Sequence, residues 1–284
     1  MRAGRAWFAC GAGLGLLALV AAGVLLALNR LDEAPLQAQE LATPATPALI
    51  ARGEYLVRVG NCLSCHTTQG GPAFAGGRAI DTPFGAIHAP NLTPDNATGI
   101  GRWSAREFWR AMHNGRSRDG RLLYPAFPYL SYTHVTRADS DAIYAYLHSL
   151  PPVEQKSRPH QLRFPFNTQL ALAVWRAIYF RPGPWVDQPG QSPQWNRGAY
   201  LVQGLGHCAA CHTPRNALGA PRADAPFGGG RIAVQNWYAP ALNSVREAGV
   251  ADWPVSDVVA LLKAGVSQQA GVSGPMAEVV FRSL

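Results

Sequence analysis

The sequence predicts an all-α protein in which two tandem copies of one helical domain follow an apolar N-terminal helix. Three observations lead to this prediction: a long uncharged run near the start, an internal repeat, and helix-capping signals inside the repeat. The run extends from Trp7 to Leu28, about the length of a membrane-spanning helix. Arg2 and Arg5 precede it, which favours a cytoplasmic N-terminus and export of the following chain.

The N-terminal segment is therefore assigned as a membrane anchor or signal over residues 1–30, followed by a linker over residues 31–48. We favour an uncleaved anchor, because the apolar core of a cleaved signal is usually only about 7–15 residues long. The formal net charge is +8, but no tract is rich in Lys and Arg, so no nucleic-acid partner is expected.

The repeat becomes visible when two similar segments are aligned. Residues 52–57 read Arg-Gly-Glu-Tyr-Leu-Val, and residues 197–202 read Arg-Gly-Ala-Tyr-Leu-Val. Further downstream, tryptophan and glycine recur at a constant offset, since 253 − 103 = 150 and 265 − 115 = 150. The chain therefore divides into a first domain (49–152), a linker with one helix (153–194) and a second domain (195–284).

Each copy is expected to be helical. Ser104 and Glu107 have the spacing of a capping box, and Gly115 suits the end of the helix that they open. Thr136 opens another helix, and a further helix is expected in the linker from Thr168 to Phe180. The Gly- and Pro-rich stretch of residues 70–96 is expected to be loop.

Both copies carry Cys-x-x-Cys-His, at residues 62–66 and 208–212. This pentapeptide is the attachment signature of c-type haem, in which two thioethers fix the porphyrin and the histidine ligates the iron. A redox-active dithiol or a zinc site could use the cysteines, but neither explains the following histidine. The pattern therefore predicts two covalent haem c groups. The attachment residues are Cys62, Cys65, Cys208 and Cys211, and the proximal iron ligands are His66 and His212.

The second axial ligand of each iron is expected to differ. Met276 lies at a suitable distance past the second motif and is the expected ligand there. The repeat aligns Phe127 with Met276, and phenylalanine cannot bind iron. The first iron is therefore either open or bound by another residue. The candidates are Met112, His113, His88 and His134.

The longer segments around these motifs resemble a known family. Residues 196–216, which include the second motif, are similar to the membrane-bound cytochrome c subunits of bacterial dehydrogenases. Residues 91–95, 164–167 and 274–280 are similar too. The resemblance covers nearly everything from about Ile50 onward and implies two tandem class I cytochrome c domains. Such subunits typically have three haem domains, so the chain is expected to be shortened or truncated.

The resemblance also implies a function. Such subunits have no substrate chemistry of their own: they take electrons from a dehydrogenase catalytic subunit and pass them to ubiquinone or a terminal oxidase. The catalytic partner would be a molybdenum hydroxylase, a quinoprotein or a flavoprotein, and Phe127 favours the molybdenum hydroxylase branch. The expected location is the bacterial cytoplasmic membrane, with the haem domains on the periplasmic side. Two alternatives stay open at this point: a di-haem peroxidase, and a di-haem subunit of a terminal oxidase.

Overall fold

The first element of the fold is a long N-terminal helix, α1 (Arg2–Leu28). The computed structural model describes residues 2–31, 33, 45–232 and 235–284, with the side chains of α1 described from residue 12 onward. Most of the predicted linker 31–48 thus lies outside the described residues. After α1, the Asn29 side chain donates a hydrogen bond to the carbonyl of Ala173 at 3.0 Å. This bond ties the end of α1 to the segment between the two copies.

The first copy is built around two packed helices, the first and last of its five. Thr46 and Thr136 cap these two helices through their side-chain hydroxyls, and the expected capping box of Ser104 and Glu107 is formed. The predictions at Ser104 and Thr136 are confirmed, and Thr46 is an additional cap that was not predicted. Such caps depend only on residues within one helical turn. The helices are α2 (Pro47–Val59), α3 (Cys62–Cys65), α4 (Ala105–Asn114), α5 (Tyr129–Tyr132) and α6 (Arg137–Ser149).

The core of the first copy lies between α2, α4 and α6. Gly53 lets α2 approach α6 closely, since a Cβ at this position would lie 2.0 Å from the carbonyl oxygen of Ala142. Leu56 and Leu147 are fully buried in this core, and so is Leu205, which belongs to the second copy. The second copy therefore contributes a side chain to the core of the first.

The predicted loop of residues 70–96 contains two strands instead. β1 (Ala79–Thr82) and β2 (Gly85–His88) form an antiparallel hairpin, and a short third strand, β3 (Gln161–Leu162), pairs with β2. Gly85 has a φ of +123°, a conformation that favours glycine and permits the tight turn between the strands.

A helix and then the second copy follow β3. The linker helix, predicted for Thr168–Phe180, has Thr168 as its N-cap and Phe180 as its C-cap. The second copy again contains a strand hairpin between its helices, with Gly230 opposite Ala239. The helices are α7 (Gln169–Tyr179), α8 (Pro193–Gln203), α9 (Ala209–His212), α10 (Val255–Ala264) and α11 (Gly274–Ser283), and the strands are β4 (Gly228–Ile232) and β5 (Trp237–Ala241).

The predicted all-α class with an N-terminal membrane helix is therefore wrong. Two small antiparallel sheets accompany the helices, because glycine-rich segments that lack helix or strand periodicity still pair through their backbones. The membrane helix is not supported either. Within the part of the chain that the structure describes, no helix has both the length and the apolar character needed to cross a membrane.

Candidate haem-binding sites

The first motif occupies a sharp turn at the end of α2. Asn61 has a left-handed conformation with a φ of +50°, which asparagine tolerates better than most residues. The chain then enters the single turn α3, which carries both Cys62 and Cys65. The backbone N–H of His66 donates to the carbonyl of Cys62 at 3.0 Å, so the histidine is fixed directly after the two thiols.

The His66 ring is oriented by a strand end. Its Nδ1 lies 2.8 Å from the carbonyl oxygen of Pro90, which follows β2. A carbonyl only accepts, so Nδ1 carries the proton and Nε2 keeps the lone pair that a metal requires. Burial lowers the pKa of His66, outweighing the hydrogen bond to Pro90, and this favours the neutral imidazole that binds iron.

The second motif repeats this geometry. His212 Nδ1 lies 2.8 Å from the carbonyl oxygen of Pro240, within β5. His207 precedes the first cysteine and has a φ of +40°, so it matches Asn61 of the first copy in both position and conformation. The same histidine tautomer is thus imposed twice, each time by a proline carbonyl at the sheet.

A second pair of matching contacts supports the equivalence of the two motifs. The residue after each motif histidine is a threonine, whose Oγ1 accepts from a phenylalanine backbone N–H at 3.0 Å. The pairs are Thr67 with Phe74 and Thr213 with Phe227. Both phenylalanines have positive φ, at +61° and +54°. The two copies therefore share backbone detail that the short motif itself does not specify.

The motif thiols do not have the lowered pKa that is typical of a redox pair. Burial raises the pKa of Cys62 to about 12 and also raises the pKa of the other three motif cysteines. A catalytic dithiol requires the opposite, a lowered thiol pKa. Among the described residues, which include all four motif cysteines, no group of three or more Cys, His, Asp or Glu is arranged to hold a metal ion.

The residues at both motifs fit haem c. Each has two thiols on one helical turn for the thioether bonds, and a histidine whose proton is held on Nδ1 and whose Nε2 is available to iron. When bound, haem c supplies one-electron chemistry between Fe(III) and Fe(II). The protein supplies the orientation of the imidazole and the backbone turn that presents the two thiols beside it.

Comparison with known proteins agrees with this geometry. The cytochrome c family model matches residues 50–151. The chain is 35% identical over 236 residues to a diheme cytochrome c-type protein of Cereibacter sphaeroides, a match that covers 81% of this chain and 78% of that protein. The chain belongs to the c-type cytochromes. The family resemblance stated from the sequence is thereby confirmed, and covalent haem c is its cofactor.

Other relatives of the cytochrome are subunits of dehydrogenases. It is 48% identical over 234 residues to a nicotinate dehydrogenase subunit of Pseudomonas putida, covering 82% of this chain and 20% of that protein. It is 39% identical over 244 residues to the cytochrome c subunit of a quinone alcohol dehydrogenase of Gluconacetobacter polyoxogenes, covering 83% and 52%. The cytochrome thus spans between a fifth and about half of the length of these two relatives.

The segment after each motif also matches between the copies. The N–H of Leu123 donates to the carbonyl of Gly115, and the N–H of Val272 donates to that of Gly265, both at 2.8 Å. The offset here is 272 − 123 = 149, which places Met276 at the position of Phe127. Met276 lies half-buried in the first turn of α11, and its role as an iron ligand stays a prediction.

Two of the four alternative ligands of the first iron lie on α4. Met112 is buried in the core of the first copy, where its sulfur lies 3.9 Å from the hydroxyl of Ser140. His113 is also buried, and its ring stacks on Trp109 with centroids 4.5 Å apart. Both side chains therefore have packing roles inside the first copy.

The other two alternatives lie nearer the edges of the first copy. The backbone N–H of His88 donates to Nδ1 of His160 at 3.2 Å, and the His88 side chain is buried. His134 Nδ1 lies 3.0 Å from the carbonyl of Gly183, a bond that leaves its Nε2 without the proton. The contacts of these four residues single out no sixth ligand for the first iron.

Pro90 and Pro240 are the functional residues that sequence reasoning missed. Their carbonyls set the histidine tautomers, yet a backbone carbonyl leaves no signature in residue type. The available signal was the repeat itself, because Ala89-Pro90 and Ala239-Pro240 recur at the offset of 150, since 240 − 90 = 150. Residues that recur in both copies near a cofactor motif are therefore candidates for a direct role at that site.

Proposed function

We propose that this cytochrome carries two haem c groups and passes electrons from a dehydrogenase catalytic subunit to ubiquinone or a terminal oxidase. One observation supports this more than any other. Both motif histidines are held in the iron-binding tautomer by the same 2.8 Å bond to a proline carbonyl. A histidine that binds a metal typically donates its other ring N–H to such a partner, because this bond fixes the tautomer and the orientation of the ring.

The proposed partner is a molybdenum hydroxylase rather than a quinoprotein or flavoprotein. Its support is the higher identity to the nicotinate dehydrogenase subunit, 48%, than to the alcohol dehydrogenase cytochrome subunit, 39%. Phe127 at the position of Met276 agrees with that branch. The proposed location of the haem domains is the periplasmic side of the bacterial cytoplasmic membrane, where c-type cytochromes of this family receive their haem.

The two irons are proposed to be inequivalent. The second would have His212 and Met276 as axial ligands. The first would have His66, and Phe127 stands where the repeat places the methionine. A thioether ligand raises the haem potential, so the second haem is expected to have the higher potential. Electrons would then collect on the second haem before leaving the protein.

The haem count tests this function directly. The chain, produced together with a haem-attachment system, is expected to carry two haems by pyridine haemochrome assay and by mass. Replacing Cys62 and Cys65 with alanine should leave one haem, and so should replacing Cys208 and Cys211. Cys10 lies outside both motifs, so Cys10→Ala is the matched control and should retain two haems.

Electron acceptance is tested with the holoprotein and a purified molybdenum hydroxylase with its substrate. Rapid haem reduction would support the proposed function, and its absence with hydroxylase, quinoprotein and flavoprotein donors alike would contradict it. Rapid turnover of peroxide with a reduced donor would instead favour the peroxidase, because an open first iron is the site that peroxide needs.

A further inference from the structure

Tyr132 of α5 lies directly against the first haem motif. Its side chain is 4% exposed, and its hydroxyl donates to the carbonyl of Gly60 at 2.9 Å. Gly60 is two residues before Cys62, so this bond fixes the phenol ring beside the turn that carries the thiols. Burial raises the pKa of Tyr132 well above its ordinary value, so the hydroxyl stays protonated and keeps donating.

The other side of Tyr132 faces the second copy. The ring of His207 stacks on it, with centroids 5.7 Å apart and an angle of 11° between the ring planes. His207 is the residue immediately before Cys208. The two rings therefore form a continuous contact from the backbone before the first motif to the backbone before the second.

A reciprocal contact runs in the opposite direction. Asn61 occupies the position of His207 in the first copy, and its side-chain oxygen accepts from the Ser283 hydroxyl at 2.5 Å. Ser283 belongs to α11 of the second copy, and on the same helix Glu278 pairs with Arg78 of the first copy at 3.1 Å. Each copy thus holds the residue that precedes the first cysteine of the other.

We propose that Tyr132 and His207 are positioning residues that fix the two haems relative to each other and thereby set the rate of electron transfer between them. This inference rests on the proposed di-haem function. In the transfer one iron is oxidised from Fe(II) to Fe(III) while the other is reduced from Fe(III) to Fe(II). Tyr132 and His207 gain or lose neither electrons nor protons, since their role is to hold the distance.

The informative variant is His207→Asn. Asparagine is the residue that the first copy has at this position, and it tolerates the positive φ, so the backbone is preserved while the stacked ring is lost. Tyr132→Phe keeps the ring but removes the bond to Gly60. Tyr144→Phe is the matched control, because the Tyr144 hydroxyl also donates to a backbone carbonyl, that of Trp103 at 2.6 Å, away from the second copy.

The readouts are the rate of interhaem equilibration after pulsed reduction of the holoprotein, and the magnetic interaction between the two ferric haems by EPR. His207→Asn is expected to slow interhaem equilibration by about tenfold and to weaken the magnetic interaction. Losing a stacked aromatic pair shifts the equilibrium by which the two copies pack against each other by up to about tenfold. Tyr132→Phe should have a smaller effect, and Tyr144→Phe none.

The haem count of each variant distinguishes a failure of the proposed di-haem function from a failure of the positioning role. A wild-type count of one would overturn the di-haem function and this inference with it. A count of two with an unchanged rate and EPR interaction in His207→Asn would overturn the positioning role alone and leave the proposed function standing.

Discussion

The first helices of the two copies share the segment Arg-Gly-x-Tyr-Leu-Val but have different surroundings. Gly53 of α2 meets the backbone of α6, whereas no atom lies within 4 Å of a Cβ built at its counterpart, Gly198 of α8. Val57 is 2% exposed, and its counterpart Val202 is 40% exposed. The two copies therefore share the haem motif, but only in the first copy is this face of the helix before the motif packed against another helix.

The second copy uses the first to anchor this helix. Tyr200 is buried, while its counterpart Tyr55 is 50% exposed. The Tyr200 hydroxyl donates to the carboxylate of Asp139 on α6 at 2.7 Å, and Arg52 from the first copy also pairs with that carboxylate. Asp139, near the N-terminal end of α6, therefore links α2 of the first copy and α8 of the second through one buried carboxylate.

The largest expected difference between the copies is at the two glycines. Gly53→Ala should cost about 3 kcal/mol of unfolding free energy, since the new Cβ would clash with backbone that cannot move without separating two helices. Gly198→Ala should instead stabilise by about 1 kcal/mol, because alanine is the better helix former where space is open. Denaturant unfolding of the two holoproteins measures both. Equal effects would mean that α2 and α8 have equivalent environments.

A smaller effect is expected from the shared carboxylate. Asp139→Asn should destabilise by about 2 kcal/mol, because the buried group loses its charge-assisted bonds from Arg52 and Tyr200. It should also speed limited proteolysis in residues 153–194, since the second copy is released from α6. Asp119→Asn is the control, because its pair with Arg121 is exposed. Unaltered proteolysis would show that other contacts hold the copies together.

The smallest effect is a pH dependence of the contact between the copies. Burial alone would raise the pKa of Glu278, but the hydrogen bond and charge of Arg78 lower it below the ordinary glutamate value. A lowered pKa in the folded state stabilises the protein above the ordinary glutamate range, and this stabilisation is lost as the pH falls through the folded pKa. Acidification should thus lower the melting temperature slightly more in the wild type than in Glu278→Gln. Identical acid sensitivity would contradict a role for this pair.

Local signals in the sequence predicted the helices well. The capping box at Ser104 and the cap at Thr136 lie within single turns, so residue type and spacing are sufficient to recognise them. The attachment residues were also predicted from local sequence, because thioether and imidazole chemistry require the Cys-x-x-Cys-His order. The role of Met276 remains a prediction.

What the sequence did not indicate depends on contacts between distant residues. The strands at Gly85 and Gly230 form by backbone pairing with other segments, and no periodicity within either segment signals it. The stacking of Tyr132 on His207 joins residues 75 positions apart, since 207 − 132 = 75. The strands depend on pairing within a copy, and the stacking depends on how the copies meet; neither is specified by the repeat itself.

The position of Leu205 in the core of the first copy has a consequence for biogenesis. A chain made from its N-terminus completes residues 49–152 before the second copy emerges, and domains generally fold in that order. The first copy, once synthesised, then presents an apolar surface against which α8 and Leu205 pack, so it acts as an intramolecular template. Maturation of the second haem site would accordingly lag behind the first, and a substitution that prevents the first copy from folding would impair both.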